Sequence, residues 1–96
     1  MATYMIFIRE GEVVDAEAMA AYQAGNRSGA TPPGLKPLVV YGAMESLEGE
    51  PADGVVVLEF PDRDTAKAWY HSPEYQERAV LRQKAAPYRC IMVEGL

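Results

Sequence analysis

The eight residues AWYHSPEY, positions 68 to 75, hold the chain's only tryptophan (Trp69), its only histidine (His71) and two of its six tyrosines, Tyr70 and Tyr75. An imidazole titrates near neutrality in its ordinary state, so His71 is the side chain best suited by type to move a proton at neutral pH, and it is a candidate catalytic residue. Trp69 and Tyr22 offer flat apolar walls for an organic ligand. Further along, Tyr75, Ala79, Arg82 and Ala86 recur at i, i+4, i+7 and i+11, a single helical stripe. That stripe places a permanent charge among small and aromatic neighbours. A guanidinium held there needs either a carboxylate or an anionic ligand. Glu59, the only charge in the segment GVVVLEF, is the candidate structural partner. The alternative is a small organic acid or carbonyl compound, because five N–H donors suit a carboxylate or enolate oxygen. Tyr22, Trp69, Tyr75 and Arg82 are therefore candidate ligand-binding residues.

Each of these residues also has a structural reading. Ser72, Pro73 and Glu74 have the types wanted at an N-cap, a first helical position and an acidic first turn, so the stretch reads as a helix, a joint and a new helix. His71 then sits at that joint as a polar cap. Trp69 reads as core or as interface between subunits, since aromatic side chains dominate burial in small domains.

Composition narrows the function classes. Ninety-six residues make one domain, of a size that gains from extra area buried by self-association. Fourteen acidic against nine basic residues give a net charge of -5, dispersed along the chain, which disfavours nucleic acid as a partner. The single Cys90 excludes an intrachain disulfide and a cysteine-based zinc cluster, and no metal or cofactor is expected. MATYMIFIRE has too short an apolar run for a signal peptide or a span, so a soluble, cytoplasmic protein is expected with no membrane partner. Gly-rich phosphate loops and nucleophile elbows are absent.

The elements that must position these residues follow from periodicity. TYMIFIR (3–9) is apolar on both alternating faces and reads as a strand covered on both sides. DAEAMAAYQAGN (15–26) reads as a helix capped by Asp15 and stopped by Gly25, followed by an irregular loop through GNRSGATPPGLKP (25–37). LVVYGAM (38–44) and GVVVLEF (54–60) read as a long-looped hairpin, and a helix follows whose N-cap is Asp62 or Asp64. After the joint at Pro73 come a further helix, EYQERAVLRQKAA, and a last strand, YRCIMVEG. The order β, α, β, β, α, β implies an α+β, ferredoxin-like fold: a four-stranded antiparallel sheet with its helices on one face, the second helix broken near Ser72-Pro73. The other sheet face is apolar and calls for a second copy of the chain, a homodimer through the sheet faces.

YGAMESLEG (41–49), VVVLEFPDRDTAKAWYHSPEYQ (55–76), Arg82 and the closing VEG (93–95) resemble the family catalogued as domain of unknown function thirteen-thirty, in the dimeric α/β-barrel superfamily. The segment NRSGATPPGLKP (26–37) departs from the family's His- and Gly-containing approach to the second strand. The resemblance implies a homodimer whose two sheets form a barrel with helices outside. It assigns no reaction. Superfamily relatives include cofactor-free monooxygenases, isomerases and haem enzymes that use a cleft between sheet and helices, an analogy at the level of fold. Two functions are left: a cofactor-independent enzyme, monooxygenase- or isomerase-like, on a small organic substrate, or a non-catalytic dimeric module for a metabolite or a protein partner.

Overall fold

β-branched and aromatic residues build the sheet of this computed structural model, which describes residues 1–28 and 32–96. Its elements run β1 (Thr3–Arg9), α1 (Ala16–Ser28), β2 (Lys36–Val40), β3 (Gly54–Phe60), α2 (Arg63–Tyr70), α3 (Pro73–Ala85) and β4 (Tyr88–Glu94). The four strands lie in the order β2-β3-β1-β4 with every neighbouring pair antiparallel. That is the ferredoxin-like arrangement of two split βαβ units.

Register separates the two sheet faces. Met5 stands opposite Leu58 and Met92, and Phe7 opposite Val56 and Cys90, on the side that the helices cover. Ile6 stands opposite Val57 and Ile91, and Tyr4 opposite Glu59 and Val93, on the side that no helix covers. Met5 and Phe7 are buried while Ile6 and Ile8 keep partial exposure, as a period of two requires. The helix-facing core adds Met19 and Tyr22 of α1, Ala66 of α2, and Tyr75, Ala79 and Ala85 of α3.

The joint between α2 and α3 rests on Ser72. Its Oγ donates to the carbonyl of Trp69 at 2.7 Å and accepts from the amide of Tyr75 at 3.2 Å, so one hydroxyl closes one helix and opens the next. Pro73 at the first helical position gives up no hydrogen bond there. Asp62, not Asp64, caps α2 by accepting from the Thr65 amide at 2.7 Å, and Asp15 caps α1 through the Ala18 amide at 3.0 Å.

Three expectations are corrected. Gly25 does not stop α1, which continues to Ser28. A Cβ at residue 25 would lie 2.6 Å from Cδ of Arg78, so the glycine leaves room for that side chain against α1, in a helix interior where glycine costs about 1 kcal/mol. β2 runs over residues 36–40 instead of 38–44, because Tyr41 takes a left-handed backbone (φ 51°) that ends the strand. Glu59 does not partner Arg82: it stands opposite Tyr4 and Lys36 on the uncovered face, with the sheet between them. The middle of the anticipated loop, residues 29–31, lies outside the described residues.

Replacing the Ser72 hydroxyl removes a cap and a bond to the preceding helix. Ser72→Ala is expected to lower stability by about 1–2 kcal/mol, read as a lower urea midpoint at unchanged slope. A midpoint equal to wild type would show that Pro73 and the surrounding packing hold the joint without the hydroxyl.

Candidate functional site

Between the helix-facing side of the sheet and the three helices lies a cleft of about 530 Å³. Phe7, Val40, Val56, Leu58 and Tyr88 of the sheet form its floor with Pro37, Leu35 and Tyr41 beside them, while Tyr22, Gln23, Asn26, Trp69, Arg78 and Arg82 come from the helices. Carbon dominates this lining. Among the described residues that line it there is no carboxylate and no histidine. A mostly apolar cavity of a few hundred Å³ with a few convergent polar groups is the usual form of a small-molecule site.

Arg82 is the buried charge in that cleft, 3% exposed, and Arg78 adds a second guanidinium to the lining. No ion pair neutralises it among the described residues. Its Cζ instead lies 5.2 Å from the ring centroids of both Phe7 and Tyr88, in reach of two electron-rich faces. Burial works against its charge, but the phenol oxygens of Tyr75 and Tyr22 outweigh that and hold its pKa above the ordinary value. Its Nε has no hydrogen-bond partner.

Two pairs of tyrosines surround the arginine. The Tyr22 and Tyr75 hydroxyls are 2.8 Å apart in the core. Trp69 lies against Tyr75 with ring centroids 4.1 Å apart, and its other neighbours are Phe60 at 5.5 Å and Phe7 at 6.5 Å. The second pair joins Tyr41 to Tyr88, hydroxyl to hydroxyl at 2.5 Å. Gly54 makes room for the Tyr41 ring, which would stand 2.8 Å from any Cβ there, and Arg9 covers the ring at 5.7 Å from its centroid. Burial pushes the Tyr75 phenol far above its ordinary range, Tyr22 adds to the rise, and Arg82 opposes it. For Tyr41, burial and the hydrogen bond to Tyr88 act the same way, with Arg9 opposing.

The anticipated site residues divide three ways. Tyr22, Trp69 and Arg82 come together on the cleft. Tyr75 does not reach it; with 0% exposure it stands behind Tyr22 and Trp69. His71 is exposed at the end of α2 and opens on a separate hollow of about 190 Å³ shared with Lys67, Tyr70 and Cys90. The geometry therefore separates the imidazole from the guanidinium. Tyr41, Tyr88, Arg78 and Asn26 are cleft residues that sequence reasoning did not single out. Arg78 donates from Nε to Oδ1 of Asn26 at 3.1 Å and lies over Tyr75, so it is anchored at the rim. Tyr88 follows the Ala86-Pro87 turn at the start of β4 and carried the one available signal, an aromatic on the inward face of a strand that reaches the cleft.

The raised phenols make stability depend on alkali. Tyr41 and Tyr75 keep their protons in the native state above the ordinary phenol value of about 10, whereas the unfolded chain releases them there. Their contribution is complete below that pH and is lost as the pH rises above it. Urea midpoints are expected to fall from about pH 10 upward, less steeply in Tyr41→Phe and Tyr75→Phe. A wild-type profile flat across that range would show that both phenols titrate normally.

The fold recurs among solved structures. A Bacillus halodurans protein of the ethyl tert-butyl ether d (ethd) family is 17% identical with a TM-score of 0.72, over the whole of both chains. A Rhodopseudomonas palustris protein of unknown function is 23% identical with a TM-score of 0.69, over 99% of this chain and 82% of that one. A Bacteroides fragilis protein, dimeric, of unknown function and ferredoxin-like fold, is 12% identical with a TM-score of 0.55, over 98% and 96% of the two chains. Such low identities speak to fold alone. Comparison with curated proteins gives no match. The family model described as Domain of unknown function (DUF1330) matches residues 2–96, and this chain belongs to that family.

Proposed function

We propose that the protein binds a small organic metabolite in the cleft between sheet and helices, with Arg82 as the electrostatic anchor for an anionic or carbonyl oxygen. The observation that carries this is a buried guanidinium whose Nε is unpaired and which lines an apolar cleft without a carboxylate. A guanidinium presents five N–H donors and no acceptor, and an anionic or carbonyl oxygen bound in the cleft would face a charge that has no ion pair. The reading needs no cofactor. Binding is favoured over proton-transfer catalysis because no imidazole or carboxylate lines the cleft to serve as general base. Any conversion there would be one in which a substrate oxygen gathers negative charge opposite fixed donors.

The test is thermal denaturation of wild type and two variants across a panel of small carboxylic and keto acids. Wild type is expected to gain stability with at least one of them, by about 2.7 kcal/mol at a hundredfold excess over Kd. Arg82→Ala and the better-packed Arg82→Met are expected to lose that protection. Protection that survives in a folded Arg82→Met would remove the anchor.

We further infer that two copies associate through the uncovered sheet face. Ile6, Ile8, Val55, Val57, Ile91 and Val93 stand together on that face, and Ile91 and Val93 are 41% and 46% exposed in the single chain. The Bacteroides fragilis protein of ferredoxin-like fold is dimeric, which supports self-association. An obligate interface of this kind buries about 1,500 Å² or more. Light scattering is expected to report a dimer at micromolar concentration, with Val57→Lys shifting it to monomer. A wild-type monomer would overturn this assembly.

A further inference from the structure

The protons of the buried tyrosine pair can be placed by elimination. Tyr75 is wholly inaccessible, and its hydroxyl is hydrogen-bonded to that of Tyr22 at 2.8 Å, while the Arg82 guanidinium, two helical turns along the same face of α3, acts on it through its charge. A guanidinium donates and never accepts. The Tyr75 proton therefore has one acceptor within reach, the oxygen of Tyr22. Were Tyr22 to donate to Tyr75 instead, the Tyr75 proton would be buried with no partner, at the cost that buried polar groups avoid. The Tyr75 proton faces Tyr22. Tyr22, which lines the cleft, is left with its own proton to offer there.

We infer that Tyr75, although it does not touch the cleft, is a positioning residue that fixes the Tyr22 hydroxyl as a donor, so that Tyr22 and Arg82 together select a carboxylate over the corresponding amide. This rests on the ligand-binding reading above and adds the class of head group. Tyr22 has one oxygen lone pair engaged by Tyr75, and Arg82, which lines the same cleft, carries N–H donors and no acceptor, so both sides of the head group meet donors. A carboxylate presents acceptors to both. A primary amide turns its NH₂ toward one of them and leaves a donor against a donor. The apolar remainder of the cleft, from Phe7 to Leu58, accepts the body of the acid.

The experiment uses matched probes: benzoate, 2-naphthoate and decanoate, each beside its primary amide, titrated calorimetrically into wild type, Tyr75→Phe and Tyr22→Phe. Wild type is expected to prefer at least one acid over its amide by about 10- to 100-fold, the worth of one hydrogen bond to a charged group. In Tyr75→Phe the Tyr22 hydroxyl is free to turn and accept, so the ratio is expected to fall to a few-fold, with the amide binding as well as before or better. Tyr22→Phe removes the donor and is expected to lower the ratio through weaker acid binding. A structural effect alone would weaken acid and amide together. An unchanged ratio in a folded Tyr75→Phe, or acid and amide binding equally to wild type, overturns this inference and leaves a ligand-binding cleft. Failure of every probe to bind overturns the cleft reading along with it.

Discussion

A guanidinium buried without a counter-carboxylate is the constraint around which the helix side of this fold is arranged. Removing an arginine from water is tolerable only when other groups compensate it, and here the ring faces of Phe7 and Tyr88 meet the guanidinium while the phenols of Tyr75 and Tyr22 favour its charge. They come from β1, β4, α3 and α1. One charge thus ties both central and edge strands to two helices. It also leaves Nε buried without a protein partner.

The break between α2 and α3 serves the same arrangement. A continuous helix would carry Trp69 and Tyr75 at i and i+6, on opposite sides. Turning the chain at Ser72 and restarting it at Pro73 lets the two rings lie 4.1 Å apart and closes the cleft wall with Trp69 while Tyr75 stands behind it. The motif that looked richest in chemistry is therefore a device for bringing rings together. Its histidine ends α2 on the outside, where it faces a different hollow.

Much of this was legible in the sequence because it depends on local pattern. The strands TYMIFIR and GVVVLEF, the caps at Asp15 and Ser72, and the helical stripe of Tyr75, Ala79 and Arg82 all reappear in the structure, while Ala86 falls just past the end of α3 in extended backbone. The stripe also predicted the burial of Arg82. Its partner was misjudged because sequence weighs charge against charge, and a carboxylate in the next strand looks like the obvious counter-ion. Period two placed Glu59 on the other face, opposite Tyr4, and that parity was readable once Tyr4 and Glu59 were known to pair. Gly25 was misread for a related reason: a glycine that stops a helix and one that admits a neighbouring Arg78 look alike until α3 is docked on α1. Tyr41 and Tyr88 are 47 residues apart, and no local rule brings their hydroxyls together.

The two inferred activities of the sheet meet in its register. Along β1 the residues Met5 and Phe7 face the cleft side while Ile6 and Ile8 face the uncovered side, and the same division holds in β3 and β4. A slip of one residue would exchange the two sets, carrying the Phe7 ring away from Arg82 and into the face proposed for association. Covering the outer face with a second copy penalises that slip on both sides at once, since the displaced set would meet the wrong neighbour in each layer. The proposed association through the sheet would then do more than bury apolar area: it would hold the strand parity that keeps Phe7 and Tyr88 beneath the arginine. On this view a substitution at the outer face, such as at Val57, acts on the cleft through the register of β3 without touching any residue that lines it.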